Sequence, residues 1–344
     1  MSIALQRAPT DGYGREINYL RLSLTDHCNL RCVYCMPLEG LSYAPPEDLL
    51  TAAELELVVR AAAAVGFTKV RLTGGEPALR EDVVDIVRRV AGVAGITDVS
   101  MTTNGVLLAK RVGGGDASLA RRLFEAGLSR VNVHLDTLDA DHLARVMRRG
   151  RLSDILAGIE AAESAGLRPI KINAVVVRDY NDLDVVDLAR LTFDHEWHVR
   201  FIELMPFGTG DCAKVARGGY VSNVETRARI EDALGPLTPL PQSHIGEESV
   251  NFRPKGARGV VGFISPVSAP YCGSCNRMRL TADGKFHLCL LNDDEVDVRS
   301  AIRSGGGQAE VERLLKRAVR LKPMGHQLDT GVTTELRIMH QIGG

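Results

Sequence analysis

Short apolar runs alternate along residues 17–204 with longer stretches in which apolar positions recur every three or four residues. The first pattern predicts strands buried in a sheet, and the second predicts amphipathic helices packed across it. Strands are expected at Ile17–Leu24, Lys69–Thr73, Asp98–Thr102, Arg130–Leu135, Ile170–Val176 and Val199–Leu204. Helices are expected at Thr51–Val65, Asp82–Val90, Ala117–Ala126, Ser153–Ala165 and Asp182–Leu191. Thr51 and Glu54 make a capping box that satisfies orphan backbone N–H groups at a helix start, and Gly66, Gly127 and Gly166 supply stops. Six βα units fit either an open doubly wound sheet or an incomplete barrel, and both put their functional loops at strand C-termini.

Prolines between Pro206 and Pro241, with five glycines among them, mark a change of composition. The region beyond predicts a strand at Val260–Ile264 and an amphipathic helix at Glu310–Leu321. We therefore divide the chain into residues 1–235, carrying the βα units, and a C-terminal α+β extension of residues 236–344. Gly113–Gly115 and Gly305–Gly307 read as loop tips.

Charge narrows the partners. Of the 344 residues, 42 Lys and Arg balance 43 Asp and Glu, for a net charge of -1, so no global basic field advertises a nucleic acid or an anionic membrane. No apolar run nears the roughly 20 residues that cross a bilayer, and Met1–Arg15 lacks a secretory apolar core. A cytoplasmic protein is expected, with any anion site local.

The seven cysteines carry the chemistry. Cys28, Cys32 and Cys35 follow the first strand in a C-x3-C-x2-C array, while Cys272 and Cys275 form a C-x2-C pair with Cys289 downstream. Structural zinc sites usually close with four ligands, whereas three thiolates on a four-iron cubane leave one iron open. Unliganded thiols, or a zinc site completed by His27, are the plainer alternatives for the first triplet. For the second, an electron relay or structural cluster with Cys212 as fourth ligand stays open. His195 and His198 have helix-compatible spacing but no third metal ligand.

The first triplet, with Tyr34 before its last cysteine, resembles the radical S-adenosylmethionine signature, and Gly74-Gly75-Glu76-Pro77 after the second strand resembles the same superfamily's loop for the methionine part of the cofactor. With Tyr19–Asp26, Thr102–Gly105, Arg200–Met205, Tyr271–Thr281 and the terminal Gly343-Gly344, the chain is similar to the GTP 3′,8-cyclase family over nearly its whole length. The resemblance implies an incomplete (βα)6 TIM-type barrel whose C-terminal extension carries a second 4Fe-4S cluster. It implies two such clusters, on Cys28, Cys32 and Cys35 and on Cys272, Cys275 and Cys289, the second taking a guanine nitrogen on its open iron. It implies S-adenosylmethionine held by Tyr34, Gly75, Glu76 and Met205. His134 stands where the family has a serine that contacts the cofactor; an imidazole can still donate to a ribose hydroxyl, but it is larger and titrates near neutrality.

GTP contacts are implied at Arg21, Lys69, Arg71, Thr102, Lys171, Arg200, Arg277 and Arg279, where guanidinium forks suit phosphate oxygens. Catalytic roles are implied for Arg21, Arg277, Arg279, Gly343 and Gly344, the last two as a tail entering the active site. The implied reaction is radical cyclisation of GTP to (8S)-3′,8-cyclo-7,8-dihydroguanosine 5′-triphosphate, the first step of molybdenum cofactor biosynthesis. Its partners are an external one-electron donor and, downstream, cyclic pyranopterin monophosphate synthase, and a homodimer is compatible with it. The rivals are a peptide-modifying radical enzyme with an auxiliary cluster and a non-catalytic metal-binding regulator. A P-loop GTPase fails for want of a G-x-x-x-x-G-K-[ST] loop.

Overall fold

The computed structural model describes residues 7–111, 116–206, 208, 210–242, 246–326, 328 and 337–343. The six expected strands form as β1 (Tyr19–Ser23), β2 (Lys69–Thr73), β3 (Asp98–Thr103), β4 (Arg130–His134), β5 (Lys171–Val176) and β6 (His198–Glu203), each parallel to the next. The C-terminal region adds β7 (Leu237–Pro239), β8 (Val250–Pro254), β9 (Val260–Ile264), β10 (Arg277–Leu280), β11 (Lys285–His287) and β12 (Glu295–Asp297). These do not make a separate sheet. β9 joins the free edge of β6 and β10 the free edge of β1, both in parallel, while β7–β8 and β11–β12 extend the two ends antiparallel. β12 and β7 end the 12-stranded sheet without pairing to each other, so the barrel is incomplete and open, as the sequence led us to expect.

The helices are α1 (Ala52–Ala64), α2 (Val83–Ala91), α3 (Leu119–Glu125), α4 (Ala140–Met147), α5 (Leu152–Ala165), α6 (Val185–Asp194), α7 (Gly210–Gly218), α8 (Asn223–Leu234), α9 (Arg299–Arg303), α10 (Gln308–Leu321) and α11 (Met339–Ile342). The Thr51–Glu54 capping box opens α1 with both reciprocal bonds made, worth about 1 kcal/mol. Gly166 ends α5 at a φ of 95°. The sequence reading did not anticipate α4 and α8; each opens on a cap, Asp139 accepting from the Asp141 and His142 N–H groups and Ser222 from that of Glu225, and α4 also buries Leu143, Val146 and Met147 at helical spacing. None of the described helices is long and apolar enough to cross a membrane. Gly113–Gly115 lie outside the described residues.

Alternation along the strands decides where the site can be. On one face Leu20, Leu22, Val70, Leu72, Met101, Val131, Val133, Ile172 and Phe201 are fully buried beneath the helices. The other face carries Arg21, Arg71, Thr102, His134 and Asn173, which line a cavity inside the curved sheet. The apolar core therefore lies between sheet and helices, and the concave side gathers these polar residues among apolar ones such as Val175 and Ile202.

Candidate active site

The loops after β1 and β2 meet first. Gly75 N–H donates to the Thr25 carbonyl and Glu76 N–H to that of His27, both at 2.7 Å. A Cβ on Gly75 would stand 2.3 Å from the His27 oxygen, and one on Gly74, whose φ is 150°, 2.5 Å from the Thr25 oxygen. Only glycine lets this loop lie against the cysteine loop. Arg31 braces that loop from within, donating to the Cys28 and Leu30 carbonyls and to the Tyr43 hydroxyl.

Cys28, Cys32 and Cys35 face the cavity as free thiols. Burial pushes the Cys28 thiol up to about 12, and the Glu76 carboxylate adds to the effect. Burial, then Cys32 and Cys28, holds Cys35 well above the ordinary range. Three thiols gathered at one side of the cavity are a ligand set that suits a metal cluster. Glu76, expected as a cofactor contact, lines the cavity, but both its oxygens already accept: Oε1 from Thr103 and the Ala78 N–H, Oε2 from the Asn104 N–H at 2.7 Å. Asn104 in turn reaches Cys28 Sγ at 4.0 Å.

His134 joins a network that the sequence reading missed. Its Nε2 lies 2.6 Å from Tyr34 Oη, 3.0 Å from Asp136 Oδ2 and 3.9 Å from Cys32 Sγ, and Tyr34 donates to Asp136 at 2.8 Å. Burial opposes the imidazolium, but Asp136 outweighs it and holds the His134 pKa well above the usual range. Asp136, fully buried, stands two residues beyond His134 in the strand motif, which was the available signal.

Across the cavity stand Cys272, Cys275 and Cys289. Burial raises a thiol here too, but Arg277 and Lys322 reverse the sign at Cys275 and bring it down to about 6, so a thiolate is present at neutral pH. Such a sulfur suits a metal cluster. Lys322, buried and donating to the Leu288 carbonyl at 2.7 Å, was not anticipated. Arg15 holds the Cys272 carbonyl at 2.7 Å and is itself paired with buried Asp11. Cys212 is buried in α7 on the other side, close enough for its charge to act on Cys35, so it does not stand ready as a fourth ligand for the second triplet.

Between the triplets lies a floor of arginines. Register places Arg279, Arg21 and Arg71 side by side across β10, β1 and β2. Arg21, Arg71, Arg277, Arg279 and Thr102 line the cavity, as do Met205 and Gly75, whereas Lys69, Lys171 and Arg200 are not in its lining. Arg200 lies just behind, donating to Asn173 at 2.9 Å. Burial and neighbouring cations push Lys171 down to about 7, Arg279 to about 9 and Arg200 to about 10. Such crowded cations favour an anionic neighbour. Gly343, at a φ of 79°, accepts from Arg279 at 2.7 Å through its carbonyl, and a Cβ there would meet Thr73 Oγ1 at 2.4 Å. Gly344 lies outside the described residues. His195 and His198 fall apart as a pair: α6 ends at Asp194, His195 stacks on Trp197, and His198 opens β6, its pKa pushed down to about 4 by burial and Lys171.

Two family models match the chain, the Radical SAM superfamily over residues 22–192 and Molybdenum Cofactor Synthesis C over residues 197–328. GTP 3′,8-cyclase of Pelotomaculum thermopropionicum is 47% identical over 334 residues, 97% of this chain and 99% of the relative. That of Moorella thermoacetica is 44% identical over the same shares of the two chains. Among solved structures, Streptococcus suis SuiB bound to S-adenosylmethionine shares the fold with a TM-score of 0.54 at 15% identity, covering 78% of this chain and 59% of that one.

Proposed function

The chain belongs to the GTP 3′,8-cyclase family of radical S-adenosylmethionine enzymes, and from that premise we infer how its residues divide the work of converting GTP to (8S)-3′,8-cyclo-7,8-dihydroguanosine 5′-triphosphate, the first step of molybdenum cofactor biosynthesis. The observation that carries the reading is one cavity joining the two cysteine triplets across an arginine floor. Cys28, Cys32 and Cys35 would hold the first 4Fe-4S cluster, which when bound would supply the electron for reductive cleavage of S-adenosylmethionine. Cys272, Cys275 and Cys289 hold the second.

Tyr34, Gly75, Met205 and His134 orient S-adenosylmethionine, and Glu76 fixes the loop edge on which its methionine part rests. Arg21, Arg71, Arg277 and Arg279, with Thr102, Lys69, Lys171 and Arg200 around them, bind and orient GTP. Arg279 and Gly343 bring the C-terminal tail to the same place and exclude water from it. Labour follows the chain only in part: residues 1–235 serve the cofactor and carry six of the eight GTP residues, residues 236–344 carry the second cluster with Arg277 and Arg279, and one sheet runs through both. An external donor supplies electrons, the product passes to cyclic pyranopterin monophosphate synthase, and the enzyme works in the cytoplasm, whose reducing conditions suit six metal-binding thiols.

The test is anaerobic turnover of the reconstituted protein with GTP deuterated at C3′. Deuterium should appear in 5′-deoxyadenosine; 5′-deoxyadenosine formed without deuterium would overturn the assignment of C3′ as the attacked position.

A further inference from the structure

One buried carboxylate sits where the arginine floor converges. Glu248 comes not from the cysteine or arginine motifs but from the segment just before β8, where Ser249 donates to Asn251 and Asn251 to Glu247. Its Oε2 accepts from Arg21 at 2.8 Å and from Arg277, and its Oε1 lies 3.5 Å from Arg71 and 4.0 Å from Arg200. Burial alone would raise its pKa, but the four guanidinium groups overwhelm that and hold it well below the carboxylate range.

The match is incomplete in an informative way. Arg21 Nε, Arg71 Nε and Arg200 Nη2 are buried without an acceptor. Two carboxylate oxygens cannot serve four guanidinium forks, and each buried donor left without a partner costs roughly 1–3 kcal/mol. The donor array is built for a polyanion with more oxygens than a carboxylate offers.

We propose that Glu248 is an internal stand-in for a phosphate group, occupying the arginine cradle while the nucleotide is away and leaving it when a polyphosphate binds. The proposal rests on the assignment of this cradle to the phosphates of GTP. Free of any anion, the four buried cations would repel one another; Glu248 holds them in place. Because it is tethered, it competes as an intramolecular ligand and weakens every phosphate ligand by the same factor, the fraction of time the cradle is open. Small free phosphates then leave the site empty, while GTP, anchored also through its base, still fills it.

The experiment measures binding of sodium tripolyphosphate, GTP and guanosine to the anaerobically reconstituted full-length protein and its Glu248→Gln variant by calorimetry. Tripolyphosphate and GTP should each bind about ten-fold more tightly to the variant, with guanosine unchanged. Weaker binding of tripolyphosphate to E248Q would mean that Glu248 scaffolds the cradle with the anion in place, and unchanged binding would mean that the two never compete; either overturns the proposal. Should E248Q not fold, Glu248→Asp, whose carboxylate reaches less far, should show an intermediate gain, and its absence is equally fatal. If tripolyphosphate follows the pattern while GTP binds neither protein, the inference about Glu248 stands and the nucleotide assignment falls.

Discussion

With a pKa near 7, Lys171 is half-charged at neutral pH, because burial and the cations of Arg200, Arg130 and Arg71 outweigh the pull of Glu248. An incoming polyanion reverses that balance by favouring the charged amine, so its binding takes up a proton. The sign follows: GTP affinity should fall as pH rises from about 6 to about 8, with up to a ten-fold loss per unit above the free-protein pKa. Lys171→Met should bind more weakly at the acid end and show a flatter profile than the parent, measured on the same GTP so that phosphate titration cancels. An identical pH profile in the two proteins would remove Lys171 from the phosphate site. His134 belongs to the same scale, its ring held between Tyr34 and buried Asp136.

At the scale of elements, α11 brings the tail into the barrel mouth. Buried His340 and Ile342 anchor it, and Gly343 lies against Ser23 and Thr73, the paired last residues of β1 and β2. No side chain fits there, since the Cβ would overlap Thr73 Oγ1 at 2.4 Å. Gly343→Ala should therefore displace the tail and lower GTP cyclisation by about 100-fold, the scale of an ångström misplacement in an active site. Iron content and cleavage of S-adenosylmethionine should stay near the parent value in the same assays, because the groups set against this glycine are Thr73, Ser23 and Arg279 and none is a cysteine. Full cyclisation by the variant would separate the tail from turnover.

At the scale of the whole molecule, the C-terminal strands cover both edges of the six-stranded core, β10 on β1 and β9 on β6. Residues 1–235 alone would expose two long edges and the apolar side chains that α10 buries against α1. That fragment should aggregate on size-exclusion chromatography and lack a cooperative thermal transition; a soluble monomer with a sharp melt would contradict this view. The architecture also explains what could be read in advance. Seven of the strands, six of the helices and both cysteine triplets were legible because alternation, caps and cysteine spacing are local properties, settled within a few residues by backbone geometry and side-chain size. β10 was not legible, since Arg277-Met278-Arg279-Leu280 is too short and too charged to announce a strand until β1 offers its edge. Nor were Glu248 and Lys322, which carry no motif and gain meaning only from charges brought to them by distant parts of the chain, and Asp136 stood in a strand motif that gave no sign of its contact with Tyr34. The sequence by itself determined the cysteine spacing and the repeating units; folding decided which charges share a cavity, because Coulomb interactions and desolvation depend on distance in space and not on distance along the chain.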